Sequence, residues 1–153
     1  MGDWASTTRI AVRVTLAEGL VIQGEAHLQP RVAWRDGPET PVEMLNRGDA
    51  FFAVSLPQGD IVFVAKDQVA AVNYAEVNTD DDPERKTVAR MLPLEVMMVG
   101  GIELRGIAVS ELPPTRGRPI DFLNEPERFF PLRTDDGTVC LNRRFVRAVR
   151  PLS

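Results

Sequence analysis

The sequence predicts an all-β protein made of two tandem, pseudo-symmetric small barrels of about five strands each, with one short helical turn in each unit. Three observations lead to this class. First, the chain is written twice. Val42-Glu43-Met44-Leu45-Asn46 followed by Phe51-Phe52 returns 78 residues later as Ile120-Asp121-Phe122-Leu123-Asn124 followed by Phe129-Phe130. Upstream, Val12, Val14, Leu16, Gly19 and Gly24 fall on Leu94, Val96, Met98, Gly101 and Gly106 at an offset of 82. Downstream, Val62, Val69 and Val72 fall on Val139, Val146 and Val149 at an offset of 77, so only loops changed length. Recurrence at a nearly fixed offset is the mark of a duplicated structural unit. Second, the apolar residues alternate with polar ones over short runs, which is the period of a half-buried strand. Third, the second strand of each unit is interrupted by a glycine, Gly24 and Gly106, where small sheets bend to close.

Taken in order, Arg9 to Leu16 reads as the first strand, with Ile10, Val12, Val14 and Leu16 on one face, and Ala17-Glu18-Gly19 as its turn. Leu20 to Leu28 returns, bent at Gly24. Gln29 to Pro41 is a proline-rich loop in which Val32-Ala33-Trp34 reads as a short edge strand. Pro41 opens a helical turn through Asn46, because proline fits the first helical position and Glu43 suits the positive end. Ala50 to Leu56 and Ile61 to Ala65 form a hairpin around Pro57-Gln58-Gly59-Asp60, and Lys66-Asp67-Gln68 is the corner before Val69 to Tyr74. The second unit repeats the plan: strands at Leu92 to Met98, Ile102 to Leu112, Phe129 to Arg133, Thr138 to Asn142 and Val146 to Val149, with the helical turn at Asp121 to Asn124. The organisation expected is a tail over 1–8, a first barrel over 9–74, an acidic linker with a short helix over 75–90 and a second barrel over 91–153.

Composition narrows the functional classes. With 44% hydrophobic and 26% charged residues the chain has the makings of an ordinary core. A net charge of -4 argues against affinity that rests on neutralising many phosphates. The charge is uneven: Arg116 to Ser153 holds eight arginines against five acidic residues, and Met1 to Thr115 holds ten basic against seventeen acidic residues, so the two ends attract. One histidine, His27, and one cysteine, Cys140, exclude an intramolecular disulfide and the usual zinc ligand sets, so no metal or cofactor is expected. No apolar run approaches the length of a spanning helix, and Met1 to Thr8 lacks the pattern of a secretory signal. The expectation is a cytoplasmic protein of a bacterium, without a membrane.

Val12-x-Val14-x-Leu16-x-x-Gly19, followed by a glycine in a bent second strand, resembles the opening motif of Sm-like and other SH3-like small barrels over about fifteen residues of each unit. The resemblance implies a short, strongly curved five-stranded sheet. Arg47-Gly48-Asp49 is similar to the Arg-Gly pair near the last strands of Sm-like proteins, but it follows Gly24 too closely and its counterpart is Glu125-Pro126-Glu127. No RNA-binding residue is carried over from that family.

Two surfaces remain as candidates. Alternation forbids both phenylalanines of a pair from facing one core: the Leu and one Phe are expected to fill each core while the Asn caps or bridges its local turn, and the functional alternative is that the second of each pair, Phe52 and Phe130, faces outward, where the modules meet or a partner docks. Arg143, Arg144, Arg147 and Arg150 form the main basic cluster, and the equivalent corner of the first unit, Lys66-Asp67-Gln68, does not share it. Asp80-Asp81-Asp82 lacks the ligand spacing of a calcium loop and reads as a charged linker. Neither His27 nor Cys140 has a catalytic partner nearby in sequence, and no enzyme is expected. The leading expectation is a non-enzymatic interaction or scaffolding module whose partner is another protein, including a second copy in a homodimer. The second is a nucleic-acid or phosphorylated-ligand binder acting through the four arginines.

Overall fold

The computed structural model describes residues 8–75 and 90–152. Ten strands form one antiparallel sheet: β1 (Thr8–Leu16), β2 (Val21–Leu28), β3 (Phe51–Ser55), β4 (Ile61–Ala65), β5 (Val69–Tyr74), β6 (Arg90–Met98), β7 (Glu103–Ser110), β8 (Phe129–Thr134), β9 (Gly137–Asn142) and β10 (Val146–Pro151). Two short helices, α1 (Pro41–Asn46) and α2 (Pro119–Leu123), precede β3 and β8. The strand order is β10-β6-β7-β8-β9-β5-β1-β2-β3-β4. The all-β expectation stands at this level. Two separate barrels do not: β5 of the first half pairs with β9 of the second, so the hydrogen-bonded sheet runs unbroken from one half into the other and is not closed. The expected edge strand at Val32-Ala33-Trp34 is a single bridge between Val32 and Arg35. The aspartate run and the expected linker helix lie outside the described residues.

Local chemistry explains why the elements start and stop where they do. In β1, Val12 and Val14 are buried while Ala11 and Arg13 face out, as alternation requires. Gly24 pairs with Val12, and a Cβ at Gly24 would fall on the Ser55 carbonyl of β3. A Cβ at Gly106 would likewise fall on the Arg133 carbonyl of β8. The two glycines let the long hairpins fold over onto the third strands, a close approach that any side chain would block. α1 begins at Pro41 behind Thr40, whose hydroxyl accepts from the Glu43 amide while the Glu43 carboxylate accepts from the Thr40 amide.

The same bonds recur in the second half at the offsets read from the sequence. Leu16 N donates to Leu20 O, and Met98 N to Ile102 O; Lys66 N donates to Ala50 O, and Arg143 N to Arg128 O. Asp121 closes on the Arg118 amide as Glu43 closes on Thr40.

The apolar side chains gather in two clusters, and each takes residues from both halves. The first contains Val12, Val14, Leu45, Phe52, Val54 and Val72 together with Phe129 and Cys140. The second contains Leu94, Val96, Phe122, Phe130, Leu132 and Leu141 together with Ala70. Phe52 and Phe130 are therefore buried, correcting the outward orientation of the functional alternative. Alternation does send the two rings of each pair to opposite faces, and in both pairs the second ring is the one that enters its own core. Phe51 is the exposed one, and Phe129 leaves its own half to fill the other core. Burying one such ring contributes roughly 1.5–3 kcal/mol, enough to make the junction structural.

Candidate functional site: the seam between halves and its open counterparts

The seam is built on the pairs Ala71↔Leu141, Val72↔Cys140, Asn73↔Val139 and Tyr74↔Thr138 between β5 and β9. A side-chain clamp reinforces it. Asn46, the last residue of α1, donates from Nδ2 to the Phe129 carbonyl at 3.0 Å and accepts the Phe129 amide on Oδ1 at 2.8 Å. A carboxamide so placed imitates one more rung of strand pairing and satisfies both backbone groups at the start of β8. Asn142, fully buried at the end of β9, donates to the Val69 carbonyl at 2.9 Å and accepts the Arg144 amide at 3.0 Å. Arg128 meets Asp67 at 3.2 Å across the same seam.

Sequence reasoning missed these residues because it assigned each Asn to its own turn. The available signal was the recurrence itself: an Asn and a Phe pair preserved at one spacing in both halves suit a contact between halves as well as a contact within each.

The four arginines are not brought together. Arg143 hydrogen-bonds three carbonyls, those of Phe122 at 2.9 Å, Leu123 at 3.2 Å and Glu127 at 2.7 Å, and its guanidinium lies over the Phe122 and Phe130 rings. Lys66 does the same work in the first half. Its buried ammonium donates to the Met44 and Arg47 carbonyls at 2.8 and 3.2 Å, at the negative end of α1. Contrary to the sequence reading, position 143 is thus a scaffold position shared with position 66. Burial lowers the pKa of both groups from their ordinary values. Arg150 pairs with Glu95 at 2.6 Å, and Arg105 holds the same carboxylate from the other side at 2.7 Å. The Arg105 hydrogen bond, with Arg150 adding to it, keeps that carboxylate below its usual range. Arg147 sits at the register shift between Val146 and Ala148, and Arg144 is exposed beside Phe145. Arg144, Arg147 and Arg150 are all exposed, with Arg150 held by Glu95.

The titratable groups at the sequence-predicted positions have structural surroundings. His27 Nε2 lies 2.7 Å from Ser55 Oγ across β2 and β3, and burial, followed by nearby Arg9, lowers the histidine below its usual value. Cys140 is fully buried in the seam, which pushes its thiol up to about 12, far from a nucleophilic thiolate. Glu39 is buried against Arg47 Nε at 2.8 Å, an ion pair without an aligned hydrogen bond, and its other oxygen accepts the Gln29 amide. Among the described residues no group of three or more His, Cys, Asp or Glu side chains is placed to hold a metal ion. No helix among them is long and apolar enough to cross a membrane. A groove of about 450 Å³ runs beside the clamp, with Val42 and Tyr74 from the first half facing Ile107, Arg133 and Glu125 from the second.

The two ends of the sheet are the seam's counterparts. β4 stands in the first half where β9 stands in the second, and β10 stands where β5 stands. Among the described residues neither β4 nor β10 has a strand on its outer side. Comparison of the chain with known protein families, curated proteins and solved structures finds no match.

Proposed function

We propose that the chain is a non-enzymatic interaction or scaffolding module, two small SH3-like barrel units fused through one seam, which takes up a protein partner along its open sheet edges. The observation that carries this reading is the contrast between equivalent strands. β9 is buried nearly throughout where β5 covers it, whereas β4, in the equivalent place, leaves Ile61 and Phe63 exposed. A strand that ends a sheet among the described residues and exposes apolar side chains is a template for another strand. The arginines lend the phosphate-binding reading little support, since Arg143 and Arg150 are committed within the fold. Affinity capture with the full chain tests the proposal. The partner should be retained at high salt and by Arg144→Ala/Arg147→Ala, and lost with Phe63→Pro/Val149→Pro. Nucleic acid or a phosphorylated ligand recovered only at low salt, and lost in the arginine variant, would replace this reading with the electrostatic one.

A further inference from the structure

We propose that a cleft over β1, where the two halves adjoin, binds a small zwitterion of the amino-acid class, with its carboxylate on Arg13 and its ammonium on Asp136. The site lies apart from the sheet ends and goes beyond the reading given to them.

The duplication brings the site to light. Across β7, β6 and β10 the register aligns Arg105, Glu95 and Arg150 in one row. That row is closed on itself, since Glu95 meets Arg105 at 2.7 Å and Arg150 at 2.6 Å. The offsets of 82 and 77 carry it onto Gln23, Arg13 and Asn73, which the register aligns in the same way across β2, β1 and β5. Here the central residue is the cation, and its neighbours are two neutral carboxamides. All three residues are exposed, and among the described residues none of their side chains has a partner. The second half thus gives its two arginines a carboxylate of their own, whereas the row of the first half holds a guanidinium and two amides without one. A guanidinium takes a carboxylate through two parallel bonds, and Gln23 and Asn73 each have N–H donors to add.

The surroundings set the size of the ligand and its second charge. Arg13, Gln23 and Asn73 line a cleft of about 330 Å³, within the range of about 300–1,000 Å³ usual for small-molecule sites. Its other side comes from the second half: Asp136, on the turn between β8 and β9, and Thr138, which is 4% exposed and whose hydroxyl has no hydrogen-bond partner. A buried hydroxyl left so costs free energy, which a ligand group can relieve. The turn is held in place. Thr134 Oγ1 donates to the Gly137 carbonyl at 2.9 Å and accepts the Asp136 amide at 3.2 Å, and Gly137 sits so close to β5 that a Cβ would lie 2.8 Å from the Tyr74 carbonyl. A cation from one half and an anion from the other therefore line one cleft, and neither has an ion-pair partner among the described residues. A simple anion meets Arg13 but is repelled by Asp136, and a carboxylate with an ammonium a few bonds away suits both. Ala11, Val12 and Ala75 complete the lining with small apolar groups, which fit a short aliphatic side chain.

Amide NMR of the isotopically labelled full chain, titrated with L-alanine and L-valine, tests the inference, with acetate, methylammonium and inorganic phosphate as comparison probes. Both amino acids should give saturable shifts centred on Arg13, Gln23, Asn73 and Asp136 and should bind more tightly than any comparison probe. Arg13→Gln should weaken them by about 10–100-fold, the loss of a charge-assisted contact. Gln23→Glu, which gives Arg13 a carboxylate as Glu95 serves its arginines, should weaken them without removing the arginine. Asp136→Asn should weaken the amino acids and leave acetate unchanged or tighter, because a negative charge leaves the cleft. All three positions are exposed, and circular dichroism verifies that each variant is folded. The absence of a saturable shift with either amino acid overturns the inference, and so does binding that survives both Arg13→Gln and Gln23→Glu. Acetate or phosphate bound as tightly as the amino acids also overturns it, because Asp136 then has no part in recognition.

Discussion

Asn46→Ala is the most direct probe of how the halves are joined. The substitution removes two hydrogen bonds and leaves the amide and carbonyl of Phe129, a residue only 1% exposed, without their partner. A net contribution of about 1 kcal/mol per bond, raised by the cost of stranding buried polar groups, gives a loss of about 2–3 kcal/mol. Urea unfolding followed by circular dichroism measures it. With a slope of about 1–3 kcal/mol/M the midpoint should fall by about 1 M or more at unchanged slope. The pseudo-equivalent Asn124→Ala is the internal control, because its side chain is exposed in the single chain and its loss should stay within about 0.5 kcal/mol. Equal losses for the two asparagines, or a loss below about 0.5 kcal/mol for Asn46→Ala, would refute the clamp.

Gly24→Ala and Gly106→Ala should each destabilise by about 1–3 kcal/mol, since either methyl meets a carbonyl of the next strand; thermal unfolding of the two variants should show similar losses. Arg143→Met, which strands three carbonyls, should cost about 2–4 kcal/mol in the same assay, whereas Arg147→Ala should change stability by less than about 0.5 kcal/mol. Cys140 should resist thiol reagents at neutral pH until the chain unfolds, and stoichiometric labelling of the native protein would contradict its place in the seam. His27 should make stability fall with acid. Its folded pKa lies below 6.5, so the unfolded chain takes up the proton first and stability declines as pH drops below 6.5, with no contribution above it. His27→Gln should flatten that limb. Glu43 acts in a lower window. Burial opposes its ionisation, but hydrogen bonds from Arg35, Thr40 and Trp34 hold it at about 2, so its contribution is lost between 4.5 and about 2.

Element identity was legible in the sequence, and partnership between elements was not. Pro41 and Asn46 bound α1 in the structure as they do in the sequence reading, because proline at the first turn and the capping pair Thr40 and Glu43 act within a few residues. β4 and β5 match their expected ranges for the same reason: tight turns fix their ends and alternation fixes their faces. The seam obeys no local rule. Nothing in the alternation of Val69 to Tyr74 says whether its second edge meets solvent or the strand at Gly137 to Asn142, and the answer decides where Phe129 goes. The same limit explains the arginines. Residue type marked Arg143 as basic, but only the fold shows three carbonyls at the end of α2 converging on it, in the place where Lys66 serves α1.

The polar fasteners of the seam are not shared between the halves. Positions that shape each half keep their chemistry: Gly24 and Gly106 at the bends, Val14 and Val96 in the cores, Lys66 and Arg143 at the helix ends. Positions that fasten β5 to β9 do not, since Asp67, Arg128 and Asn142 stand against Arg144, Ala50 and Ala65. Core positions in the two halves change size, as at Val12 and Leu94 or Met44 and Phe122, but stay apolar. A polar fastener is stable only with its partner present, and an unpartnered one costs free energy when buried. The internal seam always has its partner, supplied by the same chain at high effective concentration, and there an ion pair and a buried amide are sustained. At the two ends of the described sheet, β4 and β10, the positions equivalent to the seam carry no such fasteners, and Ile61, Phe63 and Phe51 are exposed. One duplicated surface thus exists in two chemical versions, one fastened within the chain by polar pairs and one that lacks them.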